Sequence, residues 1–96
     1  MFKKDINSEL KHNLELRASF RKSAKKLNNL YKTLLIEKLK EIGNNPRKTG
    51  KKLKKPYDKK FSTRLTKKYR IIYSIPGYCK VCVEKLESRD KIYRLL

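Results

Sequence analysis

Apolar residues recur along this chain with two periods, and the change from one to the other divides it into elements. Phe2, Ile6 and Leu10 stand at every fourth position, which suits a short amphipathic helix or an extension that folds on a partner. Leu14-Glu15-Leu16-Arg17-Ala18 alternates apolar with polar and reads as a strand. Ser19 is placed to cap a helix, and Phe20, Ala24 and Leu27 follow at helical spacing. Asn28-Asn29 interrupts, after which a second helix sets Leu30, Leu34, Leu35, Leu39 and Ile42 on one side. Gly43 and Asn44-Asn45-Pro46 stop it. Two helices joined so tightly predict an antiparallel hairpin.

The remainder predicts sheet. Residues 46–60 form a basic loop with Leu53 as its apolar anchor. Phe61-Ser62-Thr63-Arg64-Leu65 alternates, and so does Tyr69-Arg70-Ile71-Ile72-Tyr73-Ser74-Ile75. Pro76-Gly77 marks a turn, and a third strand runs from Tyr78 to Leu86 with Val81 and Val83 inward. The order β-α-α-β-β-β predicts an α+β fold: an antiparallel sheet, the two-helix hairpin packed on one face, the other face open. A short C-terminal helix or turn, carried by Ile92, Leu95 and Leu96, closes it. With no repeat and no linker, residues 1–96 read as a single domain, of which 1–12 are an N-terminal extension. Pairing Leu65 with Ile71, Thr63 with Tyr73 and Phe61 with Ile75 matches every inward residue. That register sets Arg64 diagonal to Arg70 on the open face.

Charge changes the picture. Lys and Arg total 28 against 9 Asp and Glu, for a net charge of +19. The excess is spread along the chain, so the folded body itself is expected to meet a polyanion. A heat-adapted surface would balance Lys with Glu, which this chain does not do. No apolar stretch approaches the roughly 18 residues needed to span a bilayer. Met1-Phe2-Lys3-Lys4-Asp5 leads into Glu9, Lys11 and His12, not an apolar run, so no secretory leader and no membrane association are expected. Cys79 and Cys82 form a lone CxxC in a strand-like run, with one distant histidine, His12. Four zinc ligands are not available there, and residues three apart on a strand face opposite ways. The two cysteines read as small hydrophobes of a reduced cytoplasm, and neither metal nor cofactor is expected.

At these residues the chain resembles the RelE/ParE superfamily of toxins, and within it the RelE branch. The resemblance begins near Leu14 and covers most of the chain after it; residues 1–12 lie outside. It is carried by the strand and helix pair, by Leu53 in a Lys-rich loop before Tyr57, and above all by Tyr69-Arg70-Ile71-Ile72-Tyr73. Ser88-Arg89-Asp90-Lys91-Ile92-Tyr93 closes the match, with Ser88 where many relatives have His. The resemblance implies a ribosome-dependent endoribonuclease that cuts mRNA in the A site without a metal, in the cytoplasm, held in check by a cognate acidic antitoxin. By position, Arg64 matches a family Lys or Arg, Arg70 the arginine of the next strand, and Arg89 and Tyr93 the C-terminal Arg and Tyr. Ser62 falls where some relatives have a second catalytic Lys. Lys51, Lys52, Lys54, Lys55, Lys60, Lys67 and Lys68 are then expected on ribosomal RNA and mRNA phosphates.

The chemistry asks for such residues. RNA breaks when a 2′-OH attacks the adjacent phosphate, and arginines stabilise the charge that builds on the phosphoryl oxygens. An arginine is a poor general base at neutral pH. The sequence offers no obvious His, Asp or Glu beside these arginines, which leaves Tyr93, a lysine such as Lys85, or ribosomal RNA as the proton acceptor. Two other functions share the pattern. One is a ParE-like toxin that poisons a DNA topoisomerase, against which the +19 charge and the grouping of Arg64, Arg89 and Tyr93 argue. The other is a non-catalytic RNA- or ribosome-binding protein.

Overall fold

The computed structural model describes residues 13–55, 59–77 and 80–88. Strand β1 (Asn13–Leu16) leads into helices α1 (Ala18–Ala24) and α2 (Asn29–Asn44) and a single turn, α3 (Pro46–Thr49). Strands β2 (Lys51–Lys52), β3 (Lys60–Arg64), β4 (Tyr69–Gly77) and β5 (Lys80–Ser88) follow. They form one five-stranded sheet in the order β1-β5-β4-β3-β2. The expected α+β class and helix hairpin are present, and the sheet is mixed: β1 runs parallel to β5, while the other pairs are antiparallel. The helices carry the chain from one edge of the sheet to the other. The later strands meander back, and β5 arrives beside β1 pointing the same way.

Asn28 caps α2, its side-chain oxygen accepting from Tyr31 N at 2.9 Å. Ser19 does not cap α1. Arg17 N continues the strand ladder to Val83 O at 3.0 Å, so the helix starts at Ala18, and the Ser19 hydroxyl donates to Glu84 O at 2.7 Å. The apolar stripe of α2 is narrower than the pattern implied. Leu35, Leu39 and Ile42 are buried, while Leu30 and Leu34 stand 66% and 41% exposed.

One core cluster joins the helices to the sheet, with Phe20, Leu35, Ile71, Tyr73 and Val83 at its centre. Tyr73 stacks on Phe61 with ring centroids 5.5 Å apart. Its hydroxyl donates to Pro46 O at 2.5 Å, which ties the loop after α2 to the sheet. Gly50 makes this possible: a Cβ there would strike the Tyr73 hydroxyl and come within 2.9 Å of the Ser62 carbonyl oxygen. Leu53 anchors the basic loop as expected, buried and bonded through its N–H to Lys60 O at 2.9 Å.

The β3–β4 register differs from the expected one by two residues. Phe61 pairs with Tyr73, Thr63 with Ile71 and Arg64 with Arg70. Leu65 lies in the turn, where its N–H and that of Thr66 both donate to Tyr69 O. Thr66 Oγ1 accepts from the N–H groups of Lys68 and Tyr69, each at 3.1 Å, and this closes the turn early. A slip of two residues keeps every side chain on its expected face.

Candidate nucleic-acid interface

Period two places Lys60, Ser62 and Arg64 of β3 and Arg70, Ile72 and Ser74 of β4 on the face turned away from the helices. On β5, register shifts occur opposite Ile72 and Tyr73: Ile72 pairs with Lys85, and Tyr73 with Val83. Glu84 is the extra residue of this bulge. Its side chain turns to the same face, where it meets Lys60 Nζ at 2.8 Å and Ser74.

Arg64 and Arg70 are directly opposite each other rather than diagonal. Two guanidinium groups so placed repel. Arg70 leans away along β4 and its Nη1 donates to Ser62 Oγ at 3.2 Å, while Arg64 is exposed. Ser62 therefore acts as a seat for Arg70. Glu87 is the cross-strand partner of Arg70 on the β5 side.

The face is less bare than the pattern suggested. Ser62, Ile72 and Cys82 are 3%, 3% and 1% exposed, and Ile72 and Cys82 lie outside the core cluster. Longer side chains cover this floor, with Arg70 over Ser62 and Arg17 Nε 2.8 Å from Cys82 Sγ. Cys82 is a free buried thiol, and Cys79 lies outside the described residues. Burial pushes the Glu84 carboxyl up, but hydrogen bonds from Lys60 and Ser74 and the charges of Lys60 and Arg17 outweigh it. The result lies below the usual carboxylate range.

The lysines surround this face on two sides. Lys51 and Lys52 form the outer strand beside Ser62 and Phe61, and Lys54 and Lys55 follow them, all exposed. Lys67 and Lys68 stand exposed in the β3–β4 turn, next to Arg64 and Arg70, with Lys68 Nζ 5.5 Å from the Tyr69 ring centre. Lys60 differs from the rest because Glu84 holds it. At the Lys60 end of the face lies an open cleft of about 560 Å³, bordered by Arg47, Lys52, Lys59, Lys60 and Glu84 over Phe61 and Ile75. Arg89 and Tyr93 lie outside the described residues. β5 reaches Ser88 opposite Tyr69, at the end of the sheet that carries Arg64 and Arg70.

Sequence reasoning missed the carboxylates of this face. A sign of them was present: Val81, Val83 and then Leu86 break the period of two, which marks a bulge and turns Glu84, Lys85 and Glu87 outward.

No family model matches the sequence, and no curated protein does. Solved structures do match the fold. The RelBE2 toxin–antitoxin complex of Mycobacterium tuberculosis contains a chain with a TM-score of 0.73 and 21% identity, over 83% of this chain and 100% of that one. A YoeB/ParE toxin from Agrobacterium tumefaciens gives 0.70 and 15% identity, over 80% and 98% of the two chains. The isolated RelE toxin of E. coli gives 0.66 and 22% identity, over 88% and 99%. The protein carries the fold of RelE-, YoeB- and ParE-type toxins.

Proposed function

We propose that this protein is the toxin of a toxin–antitoxin pair and that it cuts mRNA in the A site of the ribosome. The observation that carries this reading is the sheet face away from the helices. There Arg64 and Arg70 stand opposite each other, Arg70 is seated on Ser62, and exposed lysines flank both. Arg89 and Tyr93 complete the catalytic set in this reading. The two arginines of the sheet and Arg89 grip the scissile phosphate and its developing charge, and Tyr93 stacks on a base or takes part in proton transfer. The reaction needs no metal. Lys51, Lys52, Lys54, Lys55, Lys67 and Lys68 hold ribosomal RNA phosphates, and Lys60 acts with Glu84 at the edge of the cleft.

The fold supports the assignment, since RelE and YoeB toxins share it, and a RelBE2 toxin–antitoxin complex contains it. An acidic antitoxin peptide is the partner that a molecule of net charge +19 calls for. Among the described residues no helix is long and apolar enough to cross a membrane, and a ribosome-directed toxin works in the cytoplasm. The test is Arg70→Ala. Single-turnover cleavage of mRNA on programmed ribosomes falls by about 100-fold or more, as when other preorganised charge donors are lost. Ribosome affinity falls far less, because the lysines remain. Lysine at position 70 restores only part of the rate, since it lacks the planar fork. A folded Arg70→Ala protein that cuts at the wild-type rate contradicts the reading.

A further inference from the structure

We propose that Glu84 is the general base of this site, accepting the proton of the attacking 2′-hydroxyl; the assignment rests on the nuclease reading above. Lys60 and Ser62 are alternate residues of β3, so they share a face and lie about 7 Å apart along the strand. The Glu84 Oε1 is fixed at Lys60 Nζ, 2.8 Å away, and the Arg70 Nη1 at Ser62 Oγ, 3.2 Å away. A carboxylate and a guanidinium are thus tethered to neighbouring positions on one strand. A ribose hydroxyl bonded to the first and its own 3′ phosphate bonded to the second would bridge the two groups. Ile72, paired with Ser62, is the buried apolar floor between them.

Chemistry narrows the choice. Arginine and lysine at neutral pH are charged and have no lone pair to give. The serines of this face, Ser62 and Ser74, are already bonded to Arg70 and Glu84. Of the carboxylates, Glu87 stands on β5 beside Arg70, across β4 from Arg64, on the rung of the arginines themselves. Glu84 instead borders the cleft of about 560 Å³, among the cations Arg47, Lys52, Lys59 and Lys60. A carboxylate at that place weakens the binding of a polyanion, so binding alone gives no reason for it. With Lys60 and Ser74 bonded to it, Glu84 is ionised at neutral pH, so its oxygens have lone pairs for a proton, while the same bonds make it a weaker base than a free carboxylate.

In the reaction the 2′-O–H bond breaks and its proton goes to Glu84, while the 2′ oxygen bonds to phosphorus. The P–O5′ bond breaks with its electron pair on O5′, which takes a proton from water. Glu84 returns its proton to solvent. The products are a 2′,3′-cyclic phosphate and a 5′-hydroxyl, and Arg70 balances the charge on the phosphoryl oxygens throughout.

The experiment is single-turnover mRNA cleavage on programmed ribosomes from about pH 6 to about pH 9, comparing wild type, Glu84→Gln and Glu84→Asp. Circular dichroism melts confirm the fold of each. Wild-type rate is flat across this range because the acceptor is already ionised. Glu84→Gln cuts about 100-fold or more slowly at neutral pH, and its rate climbs with pH as hydroxide replaces the lost base. It binds ribosomes at least as well as wild type, since a negative charge has gone. Glu84→Asp, if the Gln variant is unstable, keeps the flat profile at a reduced rate. If Glu84 is only a counter-ion for Lys60, a folded Glu84→Gln cuts within a few-fold of wild type with an unchanged profile, and the assignment fails. A wild-type rate that itself rises with pH also overturns it, in favour of a tyrosine or lysine base. A wild-type protein that cuts no mRNA on ribosomes overturns the nuclease reading, and this assignment with it.

Discussion

Replacing Tyr73 with Phe removes one oxygen and leaves the carbonyl of buried Pro46 without its donor. The expected cost is about 1–3 kcal/mol, read from urea melts. Gly50→Ala reaches the same joint from the other side, because its Cβ needs the space of the Tyr73 hydroxyl, and it also destabilises. The Tyr73 hydroxyl has a signature in pH. Burial pushes its pKa up to about 12, with the Gly50 backbone pulling back, against about 10 in an unfolded chain. The folded value is the higher one, so this contribution is complete below about pH 10 and is lost as pH rises towards 12. The stability gap between wild type and Tyr73→Phe should therefore narrow over that window, in melts stepped through alkaline pH. A gap that widens there contradicts this account of the joint. None of this was legible in the sequence, where Tyr73 was one inward residue of a strand and Gly50 lay in a loop. The contact joins residues 27 apart, and periodicity carries no information about distance across the fold.

At the scale of elements, alternation was a sound guide to strands and faces, and a poor one to register. Matching apolar residues across β3 and β4 favoured Leu65 opposite Ile71, but the turn decided otherwise, through the Thr66 hydroxyl and the carbonyl of Tyr69. Thr66→Ala removes that clasp and should lower stability by about 1 kcal/mol, with amide exchange in the turn rising more than in β5. Protection that is unchanged at Lys68 and Tyr69 would show that the hydroxyl does not set the register. The parallel placement of β1 was hidden for a related reason, since local pattern does not say which strand a distant segment joins. The bulge was passed over, although the step from Val83 to Leu86 breaks the period of two, and it is the feature that brings Glu84 to the arginine face. In the proposed function the lysine strip has a task separate from that of the arginine face. Lys54→Ala with Lys55→Ala should weaken ribosome binding and flatten its salt dependence, while saturating protein restores cutting. Cleavage abolished at saturation would place the strip within the active site.

The whole molecule is governed by its charge of +19. Like charges so dense are tolerated in the fold because few of them are buried. Ion pairs among the described residues include those of Lys38 with Glu41, Lys60 with Glu84 and Lys80 with Glu15, which involve partly or well exposed side chains. Such pairs add little stability, so the core and the Tyr73 joint carry the fold, and the exposed lysines of the sheet edge and turn are left for a polyanion. Composition made this legible at once. It also fixes the sign of two binding events: both ribosome and antitoxin affinity should fall steeply with salt, and pull-down at moderate salt from the native host should recover a short acidic protein. Recovery of nucleic acid alone would contradict a dedicated antitoxin.

The central claim is that the arginine face cuts mRNA, and that it does so on ribosomes. Primer extension on a reporter mRNA in a translating extract, with and without added protein, tests it most directly. The account predicts new 5′ ends within codons occupied by the A site, none on the same mRNA without ribosomes, and about 100-fold fewer with Arg70→Ala or Arg89→Ala. Translation that stops with the mRNA intact, or cuts that appear equally without ribosomes, would contradict it.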